Sequence, residues 1–242
     1  MKNIKKSDII CIIPARGGSK GLKKKNLQKV LNKKLIRYPV EFALDSKLIG
    51  TVLVSTDDIN IAKEARKAGA ITPFIRPKKV SGDYTTTEET LKFSLLKYEK
   101  MIKKKFKICI FLTCTEIFRN PKWISQGLNI LKKNKKIESV FVGTKSYKNF
   151  WEKINVKGTQ EWRRIKNYMK IYSSRQIRRS IIREDTGLFC ASRSKLWRVG
   201  RRIGDKVEII LNDQNFNSID IHNNQDLQLA NSAMRVLNSK KI

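Results

Sequence analysis

The chain has 242 residues, 40% of them hydrophobic, which is enough to bury a core in one large domain, and it carries a formal net charge of +32. The apolar run at residues 9–13 is too short for a secretion signal, and no later run approaches the roughly twenty apolar residues of a membrane span, so the expected protein is soluble and cytoplasmic. So large a positive field draws nucleic acid, anionic membrane or polyphosphate, but the lysines (Lys23, Lys24, Lys25, Lys33, Lys34, Lys103 and onward) sit mostly at turns and helix ends. No aromatic series is interleaved with them and no nucleic-acid-binding motif is present, so a solvated basic surface is the reading, not a dedicated nucleic-acid interface.

Short β-type runs alternate with helical patterns, the rhythm of an α/β fold with a mostly parallel sheet and helices on both faces. Residues 9–14 read as a fully buried strand, followed by a glycine-rich loop; 34–46 read as helix and 51–55 as the next strand. Asp57 and Asp58 open a helix whose apolar positions Ile61, Ala62, Ala65 and Ala68 share a face, and Gly69 stands where a C-terminal cap belongs. Thr86 and Glu89 have capping-box spacing ahead of a helix carrying Leu91, Leu95 and Tyr98. A strand over 107–112 follows, with Pro121 in the first turn of the next helix, and then a strand over 139–143.

From there the pattern loses its period for about forty residues, in a stretch holding Trp151, Trp162 and many arginines, until strand character resumes at 187–192. Residues 145–183 read as an inserted arm within a single domain spanning 1–242, and its aromatics point to homodimerisation. A strand over 207–211, a strand-like run over 217–221 and a helix presenting Leu227, Ala230, Met234 and Leu237 close the chain. Cys11, Cys109, Cys114 and Cys190 are scattered, without metal-ligand spacing, and read as buried reduced thiols.

In an open α/β sheet ligands bind at the carboxyl ends of the strands, which places the first loop, Pro14-Ala15-Arg16-Gly17-Gly18-Ser19-Lys20-Gly21-Leu22-Lys23-Lys24-Lys25-Asn26, at the ligand. Its glycines let the backbone approach phosphate with N–H groups directed at it, while Arg16, Lys20 and Lys25 supply charge to a triphosphate. It is neither a Walker A loop nor a dinucleotide fingerprint. A merely tight turn is the alternative.

Taken whole, the loop resembles the opening of the acylneuraminate cytidylyltransferase family, roughly I-P-A-R-G-G-S-K-G-(I/L)-x-x-K-N. The resemblance continues in order through Leu35-Ile36-x-Tyr38, Val54-Ser55-Thr56-Asp57-Asp58, Ala68-Gly69-Ala70, Arg76-Pro77 and Asp83 with Thr85, Thr86 and Thr87. It covers roughly the first ninety residues densely and the last twenty-five loosely. It implies a nucleotide-diphospho-sugar transferase-like three-layer fold with an inserted dimerisation arm, and a reaction joining CMP from CTP to a 2-keto-3-deoxy sugar acid.

Carried over by position, the resemblance puts Ala15, Arg16, Gly17, Gly18, Lys20, Lys25, Asn26, Arg76 and Thr87 around the nucleotide, with Arg16, Lys25 and Asp220 as the catalytic set. It puts Thr113, Arg175 and Gln176 at the sugar. The tail Ser218-Ile219-Asp220-Ile221-His222 resembles the family's Ile-Asp-Ile-Asp, two carboxylates on one side of a strand that hold a divalent ion. His222 replaces the second carboxylate, so Asp220 and His222 are the expected metal pair for Mg²⁺, or for Mn²⁺ if the imidazole ligates. A second departure lies at Phe111-Leu112-Thr113-Cys114-Thr115-Glu116-Ile117-Phe118-Arg119, against the family's L-Q-P-T-S-P-L-R. Expected partners are CTP, an N-acylneuraminate or related nonulosonate, and a second copy of the chain. The alternatives are an octulosonate cytidylyltransferase, a catalytically silent nucleotide-binding homologue, or a nucleic-acid binder on the same scaffold.

Overall fold

The computed structural model describes residues 4–239, Arg175 and Gln214 excepted. In chain order the elements are β1 (Ile9–Pro14), β2 (Lys29–Val30), β3 (Lys33–Lys34), α1 (Arg37–Asp45), β4 (Thr51–Ser55), α2 (Ile59–Lys67), α3 (Thr87–Ile102), β5 (Ile108–Phe111) and α4 (Lys122–Lys133). There follow β6 (Ser139–Ser146), β7 (Trp151–Val156), β8 (Thr159–Arg164), β9 (Ile181–Glu184), β10 (Cys190–Arg193), α5 (Ser194–Arg198), β11 (Val207–Asn212) and α6 (Asn224–Ser239).

The main sheet has the order β11-β6-β10-β5-β1-β4, with β9 paired to β6. β1, β4 and β5 run parallel, and so do β6 and β11, while β10 and β9 are reversed. The expected three-layer, mostly parallel arrangement follows from β1 itself. Ile9, Cys11 and Ile13 belong to one core, packed with residues of α1, α2, α4 and α6; Ile10 and Ile12 belong to the other, packed with α3 and α5. A strand covered on both faces has no polar alternation, and each such side chain contributes about 1.5–3 kcal/mol on burial. All four cysteines are free and buried in these cores, and burial pushes the Cys114 and Cys190 thiols up to about 12.

The local signals act as expected at two helix starts. The Asp58 carboxylate accepts the N–H groups of Asn60 (2.6 Å) and Ile61 (3.2 Å), and Thr86 and Glu89 form a reciprocal capping box. Gly69, at φ +96°, ends α2. Other expectations are corrected. Lys34, expected to start a helix over 34–46, instead joins Lys33 in pairing with β2, and α1 begins at Arg37. Residues 187–189 lie in the turn before β10, because pairing with β5 begins at Cys190. Residues 217–221 are not a strand: a 3-10 turn over Asn215–Ser218 precedes a connection in which Ile221 donates one backbone bond to Thr115 (3.2 Å) and buries its side chain.

Within residues 145–183, β6 runs on to Ser146, β7 and β8 form their own hairpin, and β9 returns antiparallel along the end of β6. Lys157 (φ 49°) and Gly158 (φ +88°) make the hairpin turn, the pair of positive φ values that suits the twist of antiparallel strands. Both faces of the hairpin are largely exposed, Trp162 at 65%, so no core imposes an apolar period on it. Among the described residues, no helix is long and apolar enough to cross a membrane.

Candidate active site

The loop after β1 crosses the carboxyl ends of the parallel strands. The N–H of buried Ala15 donates to the Ser55 carbonyl (2.9 Å), tying the loop to the end of β4. Gly17 donates its N–H to Asp57 Oδ1 (2.9 Å), and a Cβ there would lie 2.9 Å from the Asp58 Cβ. This glycine therefore serves close approach to α2, and its N–H is spent on a carboxylate, not aimed at phosphate. A Cβ on Gly21 would lie 2.7 Å from the His222 carbonyl, so this glycine lets the loop meet the chain ahead of α6. Gly18 has open space around it. The Asn26 amide donates to the Arg16 carbonyl (2.8 Å), fixing the loop's own backbone.

The loop borders a cleft of about 510 Å³ lined among others by Arg16, Lys20, Lys25, Asn26, Arg76 and Thr87, whereas Ala15, Gly17 and Gly18, expected at the nucleotide, do not line it. Arg16 Nη1 lies 3.1 Å from Asp83 Oδ1, and Lys20 Nζ lies 2.7 Å from Asp83 Oδ2. The bond from Lys20 holds the Asp83 carboxyl below its ordinary range, and Arg16 adds to the effect. Arg76 is buried, donating to Ser81 Oγ (2.9 Å) and the Ser55 carbonyl (3.3 Å), with Asp57 at 3.9 Å. Burial holds the Lys25 ammonium below its ordinary range, against the opposing pull of Asp220. Thr86 is occupied as the cap of α3, and Thr87, the first helical residue, faces the cleft.

A second cleft of about 410 Å³ adjoins the first and shares Thr87, Phe111 and Thr113 with it. Thr113 Oγ1 donates to Glu116 Oε2 (2.9 Å), and the Thr113 N–H donates to the Gly187 carbonyl (2.9 Å). Arg119 stitches this wall together, donating from Nε to Leu188 O (2.7 Å) and from Nη2 to Thr113 O (2.6 Å) and Gly187 O (2.9 Å). Burial pushes the Glu116 carboxyl up to about 7, helped by the neighbouring charge of Asp220, and lowers the Arg119 guanidinium to about 10. Asp185 is paired with Arg183 at 2.6 Å, and the Arg202 guanidinium sits 5.0 Å over the Phe111 ring.

Asp220 lies on the second cleft and His222 on the first. Although no strand carries them, their side chains meet, Nε2 of His222 lying 2.8 Å from Oδ2 of Asp220. Asp220 Oδ1 is buried without a hydrogen-bond partner, the condition of a carboxylate oxygen suited to a cation or an ordered water. Among the described residues no group of three or more His, Cys, Asp and Glu side chains is arranged to hold a metal, so an ion here would complete its shell from phosphate oxygens and water. Asn223 caps α6, its Oδ1 accepting the Asp226 N–H (3.0 Å), and Asp226 Oδ2 in return accepts the N–H groups of His222 (2.8 Å) and Asn223 (3.1 Å).

The fold thus gathers Arg16, Lys20, Lys25, Asn26, Arg76, Thr87, Thr113, Asp220 and His222 around two joined clefts. Gln176 is exposed in a turn of the arm and lines neither, and Arg175 lies outside the described residues. Not singled out for the site from sequence were Asp57, Asp83, Glu116, Arg119 and Arg202. Asp57 and Asp83 stand inside matched motifs, and Glu116 is a polar residue in a segment otherwise headed for the core, which is the signal that was available.

A cation-lined cleft at the carboxyl ends of an open, mostly parallel sheet, joined to a second polar cleft, defines a nucleotide-binding α/β transferase fold. The family model for cytidylyltransferases matches residues 10–180, and the chain belongs to that family. It is 47% identical over 78 residues to a pseudaminic acid cytidylyltransferase of Campylobacter jejuni, covering 32% of this chain and 34% of that protein. It is 38% identical over 106 residues to CMP-N,N'-diacetyllegionaminic acid synthase of the same species (44% and 45%). To the N-acylneuraminate cytidylyltransferase of Escherichia coli it is 31% identical over 143 residues (59% and 33%). The matched chain thus spans 33% to 45% of the length of these relatives, and the resemblance to the acylneuraminate cytidylyltransferases is borne out at the level of family. The fold matches a CMP:2-keto-3-deoxy-manno-octonic acid synthetase solved with CTP, at a TM-score of 0.66 and 16% identity over 94% of this chain and 98% of that one.

Proposed function

We propose that this chain transfers CMP from CTP to a 2-keto-3-deoxy sugar acid of the nonulosonate class, releasing pyrophosphate. The observation that carries the reading is the pair of joined clefts: one gathers Arg16, Lys20, Lys25 and Arg76 for a triphosphate, and the other is walled by Thr113, Glu116, Arg183 and Arg202. A bond forms between the anomeric oxygen of the acid and the α-phosphorus of CTP, the bond from that phosphorus to the bridging oxygen breaks, and the hydroxyl proton passes to solvent. The protein's part is to position the two substrates and neutralise charge. Arg16 and Lys20 serve the phosphates, Lys25 adds charge at a partly desolvated position, and Asn26 keeps Arg16 in place through its carbonyl. Asp220 with His222 would hold a divalent ion, Mg²⁺ or Mn²⁺, whose chemistry is to neutralise charge on the phosphates.

In this proposal the enzyme works in the cytoplasm as a homodimer whose interface includes the β7–β8 hairpin. The exposed Trp151, Trp162 and Tyr172 support that assignment, and Arg175 and Gln176 are assigned to the sugar acid by the resemblance alone. The test is pyrophosphate release from each of the four nucleoside triphosphates with a panel of nonulosonic and octulosonic acids in Mg²⁺ and in Mn²⁺. CTP- and acid-dependent release that is lost in Asp220→Ala supports the proposal; release only with an octulosonic acid moves the substrate to that class. No release under any combination refutes it and leaves the silent homologue, or a nucleic-acid binder recognisable by a steep salt dependence of RNA binding.

A further inference from the structure

Glu116 is a carboxyl the fold has made room for without giving it a cation. Its Oε2 accepts the Thr113 hydroxyl at 2.9 Å, and a Cβ on Gly187 would lie 1.6 Å from that same oxygen, so the turn beneath it must be bare. Two other carboxylates of this cleft have cationic partners, Asp185 with Arg183 at 2.6 Å and Glu184 with Arg202 at 3.5 Å, and Asp220 meets the His222 imidazole. Among the described residues Glu116 forms no such pair. Arg119 lies close enough to act on it through its field, but directs Nε and Nη2 to backbone carbonyls. A largely buried carboxyl that borders a cleft, and has one oxygen held by a hydroxyl, is matched by a ligand that brings a hydrogen-bond donor.

The sequence points to the same place. Against L-Q-P-T-S-P-L-R, the stretch from Leu112 to Arg119 has a short residue, Thr113, at the glutamine position and a long one, Glu116, at the serine position. The structure puts these two side chains in contact. The long polar group has thus moved three residues along the chain, and an amide that both donates and accepts has become a carboxyl.

We propose that Glu116 determines which acceptor the second cleft takes, by accepting a hydrogen bond from a hydroxyl or N–H group on the sugar acid. The inference rests on the reading of this cleft as the acceptor subsite. A site built to hydrogen-bond one donor rejects the analogue lacking it, because the buried carboxyl is then left unpaired.

The experiment is calorimetric titration of N-acetylneuraminate, pseudaminate, legionaminate and octulosonate into protein saturated with CDP and Mg²⁺, so that binding is read whether or not transfer occurs. Wild type is compared with Glu116→Gln, Glu116→Ser and the double variant Thr113→Gln, Glu116→Ser. The expected result is at least a tenfold loss of affinity for the preferred acid in Glu116→Ser and a changed rank order of acids in the double variant. CDP affinity and the Mg²⁺ midpoint stay within twofold, which also shows that the variants are folded. Unchanged acid affinities, a parallel loss of CDP or Mg²⁺ binding, or no acid bound by wild type would each overturn the inference. Binding of an acid without CMP transfer from CTP refutes the proposed function alone.

Discussion

Nε2 of His222 stands 2.8 Å from Oδ2 of Asp220, and the other oxygen of that carboxylate is buried with no partner. An imidazole favours softer ions than a second carboxylate does. His222→Asp is therefore expected to move the metal preference towards Mg²⁺, lowering the Mg²⁺ midpoint for pyrophosphate release several-fold relative to that for Mn²⁺. Metal titrations of the two proteins read this directly, and equal ratios would remove His222 from the metal site.

Asp83 pairs with Arg16 and Lys20 within the first cleft, the proposed triphosphate site. Asp83→Asn removes one anion while leaving the shape, so CTP is expected to bind about threefold tighter at low salt, with a steeper dependence on ionic strength. Isothermal titration at two salt concentrations measures both. A weaker CTP affinity would mean that Asp83 orders the loop more than it screens it.

Gly187 and Glu116 are sterically coupled, since a Cβ on the glycine would fall 1.6 Å from the carboxylate. Gly187→Ala is expected to cost about 1–3 kcal/mol in chemical denaturation, as other overpacked sites do. Part of that cost should vanish in the Glu116→Ser background, because the second change removes the contact with the carboxylate and leaves the one with Thr113 Cγ2, 2.8 Å away. Additive effects would place the strain in the backbone instead.

The Glu116 carboxyl titrates near 7, above its ordinary value of 4.5, because burial disfavours its charge. The folded state therefore binds more protons than the unfolded chain between these values, and stability falls as pH rises through that window. The contribution is unpenalised below about pH 4 and fully penalised above about pH 7. In divalent-free buffer Glu116→Gln is expected to be more stable than wild type by about 3 kcal/mol at pH 8, with the difference closing at pH 4. A pH-independent difference would contradict the burial of this charge.

The parts legible in the sequence were those governed by local chemistry. The all-apolar run of β1, the Asp58 cap, the Thr86–Glu89 box and the glycine-rich loop each state their own conformation. What stayed hidden depends on contacts between distant segments. Gly17 looks like a phosphate ligand until Asp57 is seen to hold its N–H, and the Asp220–His222 pair looks like a strand until one bond to Thr115 replaces a ladder. Glu116 and Gly187 stand 71 positions apart, and neither residue alone announces the other. The β7–β8 hairpin was unreadable for a different reason: with no core on either face, its side chains had no period to obey.

The stretch that leaves the sheet at Ser146 returns beside it at Ile181, on the same rung of the β6–β9 ladder. It is therefore closed at its base, and changes in its length or composition need not disturb the strands below. The strand on which it returns runs directly into Arg183, Glu184 and Asp185 of the second cleft. An outer surface and one wall of the second cleft are thus carried by one cassette, so changes to the two can come together while the first cleft stays fixed.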